Sequence, residues 1–129
     1  MSRGPARAEG FSRADRIRSR TDFLRVQREG KRVHTPHFVI MVMPGQGQRL
    51  GITVTRRTAG AVGRNRVRRL VREVFRRNRA LFPSCELVFI ARGGAAELDY
   101  ATVLVEVAQA EAALRRAAKQ PRSDAEVAR

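Results

Sequence analysis

The sequence predicts a single α+β domain in which a long helix packs beside a β-sheet. A length of 129 residues and a hydrophobic content of 43% are enough for one modest core. The long helix is indicated by apolar residues at i, i+3, i+4, i+7 and i+8, which form one stripe: Val67, Leu70, Val71, Val74 and Phe75. The sheet is indicated by three short apolar or alternating runs, residues 37–43, 49–55 and 87–92.

The N-terminal region divides into a tail and a short helix. Residues 1–12 mix Gly, Pro, Ser and Arg without periodicity, so we expect a disordered basic tail. A helix is predicted to begin after a capping residue near Ser19 and to end at Gly30, because glycine is common just beyond a helix. Its apolar members are Phe23, Leu24 and Val26.

Two strands are predicted next, joined by a turn with the sequence PGQGQ. The first, His37–Met43, is apolar on both faces. The second, Arg49–Thr55, alternates, with Leu50, Ile52 and Val54 on one face. The opposite face carries small and polar side chains, so we expect it to be open to a ligand.

The second half of the chain adds the long helix, one strand and a last helix. The long helix is expected to break near Pro83, and the continuous apolar run Leu87–Arg92 is typical of a central strand. Asp99 is a predicted cap for the last helix, whose buried side carries Tyr100, Val103, Leu104, Val107 and Leu114. Residues 119–129 are expected to form a flexible tail, which leaves a single domain over residues 13–118.

Charge is the strongest functional signal. The net charge is +15, and residues 56–94 alone carry +9. Ten arginines and one acid lie between Arg56 and Arg79. Opposite the apolar stripe, the long helix carries Asn65, Arg69, Arg72 and Arg76, with Arg68 beside them. Like charges at i, i+4 repel one another, and a polyanion reverses the sign of that interaction. The pattern therefore favours a nucleic acid, with an anionic membrane surface as the alternative.

The residues predict a binding protein rather than a catalyst. The acids are scattered, and His34 and His37 have no cysteine or acid partner at metal-ligand spacing, so a structural or RNA-facing role is favoured for both. Cys85 stands alone before an apolar run and is expected to be a buried hydrophobe. The sequence contains no phosphate-binding loop, signal core or membrane span, so we expect a soluble, cytoplasmic protein.

Structured RNA suits this architecture at least as well as DNA. Nothing in the sequence indicates a helix-turn-helix pair or a dimerising zipper for the DNA major groove. Aromatic residues make up only 5% of the chain, so any stacking on single-stranded bases rests on very few side chains.

The run AVGRNRVRRLVREVF, residues 61–75, resembles the signature helix of the bacterial ribonuclease P protein subunit, with its RNR box. Flanking segments agree in order along the chain, over about residues 13–118. They are Arg16-Ile17 with Asp22-Phe23, Phe38-Val39-Ile40, and Ile90-Ala91-Arg92.

The resemblance implies an αβββαβα two-layer sandwich with a left-handed βαβ crossover, similar to domain 2 of ribosomal protein S5. Handedness rules alone predict the right-handed form. An additional short strand is expected near residues 31–35. The implied function is that of a protein cofactor to a catalytic RNA that cleaves the 5′ leader from precursor tRNA, with Mg²⁺ held mainly by the RNA. No membrane and no small-molecule substrate is implied.

The resemblance also implies two surfaces. The catalytic RNA is expected to contact the long helix and its entry through Arg56, Arg57, Arg64, Asn65, Arg66, Arg68, Arg69, Arg72 and Arg76. A cleft between the first helix and the sheet is expected to hold the single-stranded leader, at Phe23, Gln27, Met41, Arg49 and Thr53.

This sequence departs from the family pattern in the cleft. Relatives often have aromatic residues where Gln27 and Met41 stand, so leader binding is expected to depend less on stacking. On pattern alone, Val39 and Met41 belong to the core, and Phe23 is either a core or a cleft residue. Two other functions stay open: a general structured-RNA-binding or ribosome-associated protein without a processing role, and a protein-only metal nuclease.

Overall fold

The structure is a computed structural model that describes residues 13–119. In chain order its helices and strands are α1 (Arg20–Glu29), β1 (Lys31–His34), β2 (Phe38–Pro44), β3 (Gln48–Thr53), α2 (Ala61–Arg77), β4 (Cys85–Ala91), α3 (Tyr100–Gln109) and α4 (Glu111–Lys119). The predicted tail of residues 1–12 lies outside the described residues. So does the predicted C-terminal tail, apart from Lys119, which is the last residue of α4.

The predicted boundaries of α1 are confirmed, but the reason for its C-terminal glycine is different. The Ser19 hydroxyl accepts a hydrogen bond from the Asp22 N–H at 3.2 Å, which caps the helix. Gly30 has φ −68°, so it is not in the left-handed conformation expected of a C-terminal glycine. A Cβ at Gly30 would lie 2.7 Å from the Val26 carbonyl oxygen and 3.0 Å from the Val42 nitrogen. Glycine is needed there because α1 approaches β2 closely.

The strands form one mixed sheet in the order β1-β2-β4-β3. β1 pairs with β2 and β2 pairs with β4 in antiparallel fashion, whereas β3 and β4 are parallel. The prediction that β4 is a central strand is therefore confirmed, and the short strand β1 expected from the resemblance is present. Since β3 and β4 are parallel neighbours, α2 is the crossover between them. The hand of this crossover stays a prediction.

Each face of the sheet has its own hydrophobic cluster. The larger cluster lies against α2, α3 and α4 and includes Phe38, Ile40, Val42, Leu87 and Phe89 of the two central strands. The smaller cluster lies under α1 and consists of Ile17, Val26, Met41, Met43 and Val88, with Phe23, Val39 and Ile90 packed against it. Four members of the predicted α2 stripe are fully buried, and Leu70 is half-buried. The stripe thus anchors α2 to the sheet as predicted.

The last helix begins as predicted but is divided in two. The Asp99 carboxylate accepts a hydrogen bond from the Thr102 N–H at 2.9 Å, and hydrogen bonding to Thr102 lowers the pKa of Asp99. The N–H of Ala110, between α3 and α4, bonds the carbonyls of Glu106 and Val107 at 3.2 and 3.0 Å, which tightens the backbone into a turn. Leu114, beyond that turn, is still fully buried.

Of the two roles left open for His37, structural or RNA-facing, the structure supports the structural one. The carboxylate of Glu106, 5% exposed, accepts a hydrogen bond from the His37 N–H at 3.1 Å and also contacts Nδ1 of its ring. This pair ties the start of β2 to α3. His34, by contrast, is exposed on β1.

Candidate nucleic-acid interface

The outer face of α2 presents a row of arginines along a shallow groove of about 280 Å³, lined by Asn65, Arg68, Arg69, Arg72, Glu73 and Arg76. Arg69 is exposed and makes no hydrogen bond or ion pair within the described residues. Arg68 donates a hydrogen bond to Oδ1 of Asn65 at 3.3 Å. Asn65 therefore orders a neighbouring arginine. Below, "outer face" means Asn65, Arg68, Arg69 and Arg72.

Glu73 is the one acid of α2, and it engages Arg76. Two hydrogen bonds join the guanidinium of Arg76 to the two carboxylate oxygens of Glu73, at 2.7 and 3.2 Å. The hydrogen bond from Arg76 lowers the pKa of Glu73. Of the arginines predicted to contact RNA, Arg76 consequently has its charge partly balanced by the protein itself.

Two arginines of the RNR box are held by backbone carbonyls. Arg64 donates to the Ala59 carbonyl at 3.0 Å. Arg66 donates to the Ala96 carbonyl at 3.0 Å and to the Leu98 carbonyl at 2.7 Å. Both side chains thus have structural roles, since they fix the entry to α2 and the segment before α3.

Arg56 and Arg57 lie exposed in the turn that leads to α2. Neither makes a hydrogen bond or ion pair within the described part of the chain. They extend the positive surface of α2 beyond its N-terminus, as predicted.

A second groove, of about 140 Å³, connects the outer face to α1 and the edge of the sheet. Arg16, Phe23, Gly51, Arg68 and Arg72 are among its lining residues. The pKa of Arg72 is lowered, first by partial burial and then by the positive charges of Arg16 and Arg68. Arg72 therefore lies close enough to Arg16 and to Arg68 to be repelled by both, which is an arrangement that a phosphate would stabilise.

Sequence reasoning missed Arg16 as a site residue. The segment before α1 joins the open edge of β3 through a hydrogen bond from the Ile17 N–H to the Leu50 carbonyl at 3.1 Å. This contact brings Arg16 beside α2. Because the partners are far apart along the chain, no local pattern reveals the pairing.

The residues predicted for the cleft are brought together between α1 and β3, with one exception. Phe23 is half-buried, and its ring lies on Gly51 so closely that a Cβ there would be 2.6 Å from the ring. The Thr53 hydroxyl donates a hydrogen bond to Gln27 at 2.7 Å. Side chains of α1 therefore cover part of the small polar face of β3, where Arg49 and Thr53 stay half-exposed and Gly51 lines the second groove. That this face is open to a ligand stays a prediction.

Met41 is the exception. Its side chain is 3% exposed, among Ile17, Val26 and Val88. The resemblance predicts that Met41 is exposed in the leader cleft. The structure contradicts this prediction, because α1 covers that part of the sheet. Met41 belongs to the core, as the apolar pattern alone predicted. Below, "cleft" means Phe23, Gln27, Arg49 and Thr53.

Arg49 is already paired within the cleft. It donates a hydrogen bond to Glu86 on β4 at 2.9 Å, and Arg25 on α1 reaches the same carboxylate at 3.3 Å. Glu86 is 9% exposed, so its carboxylate is largely shielded from water, whereas the side chains of Arg25 and Arg49 are 40% and 34% exposed. Glu86 and Arg25 were not predicted, because the alignment of β3 with β4 is what places Glu86 beside Arg49.

Comparison with known proteins identifies the family. The family model described as Ribonuclease P matches residues 11–117, which is most of the chain. The chain belongs to the ribonuclease P protein family. A ribonuclease P protein component from Citrifermentans bemidjiense is 34% identical over 111 residues, covering 84% of this chain and 96% of that protein.

Solved structures agree with this assignment. The RNase P protein from Thermotoga maritima is similar with a TM-score of 0.67 and 35% identity, covering 78% of this chain and 96% of that one. The RNase P protein from Staphylococcus aureus gives a TM-score of 0.64 and 26% identity, covering 83% and 97%. The αβββαβα fold and the tRNA 5′ processing function predicted from the resemblance are confirmed at the level of the family.

Three further features of the chain concern chemistry away from the interface. Burial raises the pKa of Cys85 to about 12, so its thiol is held neutral, as expected for a buried hydrophobe. Among residues 13–119, no three His, Cys, Asp or Glu side chains are grouped closely enough to hold a metal ion. No helix in the described part of the chain has the length and hydropathy needed to cross a membrane.

Proposed function

We propose that this chain binds the catalytic RNA of ribonuclease P through the outer face of α2 and assists removal of the 5′ leader from precursor tRNA. The observation that carries the proposal is the cluster formed by Arg16, Arg68 and Arg72 beside Arg69. These guanidinium groups repel one another in the free protein and gain favourable interactions when phosphates lie between them. Arg56 and Arg57 continue the same surface.

The leader of precursor tRNA is proposed to lie in the cleft beside Phe23. The groove that Phe23 shares with Arg68 and Arg72 connects the two surfaces, so one RNA strand is able to pass from the outer face to α1. A base stacked on the Phe23 ring would have its phosphate close enough to Arg16 for electrostatic attraction. Mature tRNA has no leader and would forgo these contacts.

Hydrolysis is assigned to the RNA partner, with Mg²⁺ supplying the charge stabilisation of the cleaved phosphate when bound there. The interface fits this assignment because it offers arginines rather than the carboxylates that Mg²⁺ prefers. In the outer groove, the carboxylate of Glu73 is taken by Arg76. The chain's own contribution is to neutralise phosphates and position the leader. Because precursor tRNA is its proposed substrate, the proposed location is the cytoplasm.

The test is cleavage of precursor tRNA by the catalytic RNA at low Mg²⁺, with and without this protein. We expect more product with the protein, because its cations reduce repulsion between the two RNAs. Equal product in both reactions would contradict the proposal. Cleavage by the protein alone would instead indicate a protein-only nuclease.

A competition experiment separates the proposal from general RNA binding. The complex of protein and catalytic RNA is given labelled precursor tRNA and unlabelled mature tRNA. We expect preference for the precursor, since only the precursor reaches the cleft. Equal affinity for the two would indicate a structured-RNA-binding protein without a processing role.

A further inference from the structure

A third groove, of about 500 Å³, runs between α2 and the start of α3 and differs in character from the outer face. Its apolar wall is formed by Val62, Leu70 and Tyr100. Its polar lining consists of Asn65, Arg66, Arg69 and Glu73, and the Glu73 carboxylate is engaged by Arg76. Val62 is 83% exposed, the largest exposure of any large apolar side chain among the described residues. An apolar residue this exposed, in the first turn of a helix that carries arginines, is not explained by packing.

The groove is held in shape before anything binds. Arg66 is fixed by its hydrogen bonds to the Ala96 and Leu98 carbonyls, at 3.0 and 2.7 Å. The Tyr100 hydroxyl accepts a hydrogen bond from Asn78 at 2.8 Å, and the guanidinium of Arg77 lies 5.2 Å from the centre of the Tyr100 ring. Because these walls are already ordered, a ligand loses little free energy in organising them.

We propose that this groove receives one unpaired base of the catalytic RNA, a contact that rests on the proposed function above. A nucleobase has apolar faces that match Val62 and Tyr100, and the phosphates flanking it match Arg66 and Arg69. Arg69 lines both this groove and the outer groove, so a strand following the outer face passes directly beside it. A second copy of this chain is disfavoured as the occupant, since both copies carry a net charge of +15.

The test compares Val62→Asn with wild type in binding to the catalytic RNA across a range of salt concentrations. We expect the affinity to fall about five-fold, since the base no longer packs on an apolar side chain. The slope of log affinity against log salt should stay unchanged, because every arginine that reaches a phosphate is still present. Val62→Ile keeps the apolar surface and should retain wild-type affinity. Val105→Asn is the matched control, since Val105 is 51% exposed on α3 outside the groove, and it should bind as wild type.

Chemical probing of the bound RNA locates the base. In the wild-type complex one unpaired base should be protected from a base-modifying reagent, and Val62→Asn should restore its reactivity while backbone protection persists. The proposal is overturned if Val62→Asn binds like wild type, if its salt slope falls, or if it changes self-association instead of RNA binding. Failure of the wild-type protein to bind the catalytic RNA would overturn the proposed function itself.

Discussion

The outer face and the cleft both contain arginines, but the protein treats their charges in opposite ways. On the outer face, Arg68 and Arg69 have no acidic partner among the described residues, and Arg72 is crowded by other cations. In the cleft, Arg49 shares the buried carboxylate of Glu86 with Arg25. The outer face therefore concentrates positive charge, whereas Arg49 of the cleft is paired with a carboxylate before RNA arrives.

This difference assigns separate tasks to the two regions. A surface that concentrates arginines gains most from phosphate neutralisation, so the outer face should dominate affinity and its dependence on salt. The cleft is ordered and its Arg49 is already paired with Glu86, so it selects mainly by shape and stacking. The cleft should then contribute preference for a leader rather than overall binding strength.

The largest expected effect comes from removing charge on the outer face. Replacing both Arg69 and Arg72 with Ala should weaken binding to the catalytic RNA by about 10- to 100-fold at moderate salt. The log–log salt slope should also flatten, by roughly 0.7–0.9 for each phosphate that is no longer neutralised. Filter binding at several salt concentrations measures both quantities. The control removes Arg32 and Arg116, which are exposed on β1 and α4 and carry the same total charge. If the control weakens binding equally, the affinity depends on the net charge of the protein and not on the position of the arginines on the outer face.

A smaller effect should follow from altering the aromatic ring in the cleft. Phe23→Ala should reduce the preference for precursor over mature tRNA by roughly 10-fold, because it removes base stacking of about 1–3 kcal/mol. Gly51→Ala keeps the Phe23 ring but forces it to move, since the new Cβ would be 2.6 Å from the ring. It should lower the same preference less. Equal weakening for both RNAs would show that Phe23 only supports the core.

Glu86→Gln tests whether the charge balance of the cleft matters. The variant releases one net positive charge at Arg25 and Arg49, so affinity for leader-bearing RNA should rise a few-fold. Both arginines are more than a third exposed on their side chains, so we expect a stability loss of about 1–2 kcal/mol, below that of a fully buried pair. Urea unfolding and competition binding measure the two effects. Unchanged leader affinity would mean that the arginines do not face the RNA.

The smallest effect concerns Glu73, whose pKa is lowered by Arg76. A carboxyl with a lowered folded-state pKa adds stability above its unfolded value of 4.5, and that stability disappears as the pH falls through the folded pKa. Because the pair is about one-third exposed, it should contribute only about 0.3–0.5 kcal/mol. Glu73→Gln should thus be slightly less stable than wild type at pH 6 and equally stable near pH 3, as measured by urea unfolding. A constant difference at both pH values would contradict the assignment.

Local pattern was sufficient for the parts of the fold that depend on near neighbours. The α2 stripe follows from helical periodicity, and Asp99 and Ser19 cap helices because of their own side-chain chemistry. The division of the last helix at Ala110 has no such signal, since alanine favours helix.

Long-range contacts account for what the sequence did not reveal about the site. Arg16 reaches α2 only through the bridge to β3, and Glu86 reaches Arg49 only through the β3–β4 pairing. Met41 looked available because the resemblance to the family places that position in the cleft, whereas its burial depends on how far α1 extends over β2 in this chain. Periodicity indicates which face a residue occupies, but not what covers that face.

α2 connects β3 to β4, which are parallel neighbours in the sheet, and this connection has a consequence for the order of folding. In the sheet β3 pairs only with β4, so β3 is unable to join it until residues 85–91 have been synthesised and have paired with β2. During that interval α2 is stabilised only by its own backbone hydrogen bonds. Contacts between distant segments form slowly, and repulsion among arginines opposes a lone helix. RNA that binds only the finished arrangement would stabilise it by mass action. The partner is then not merely the target of this surface but a contributor to its assembly.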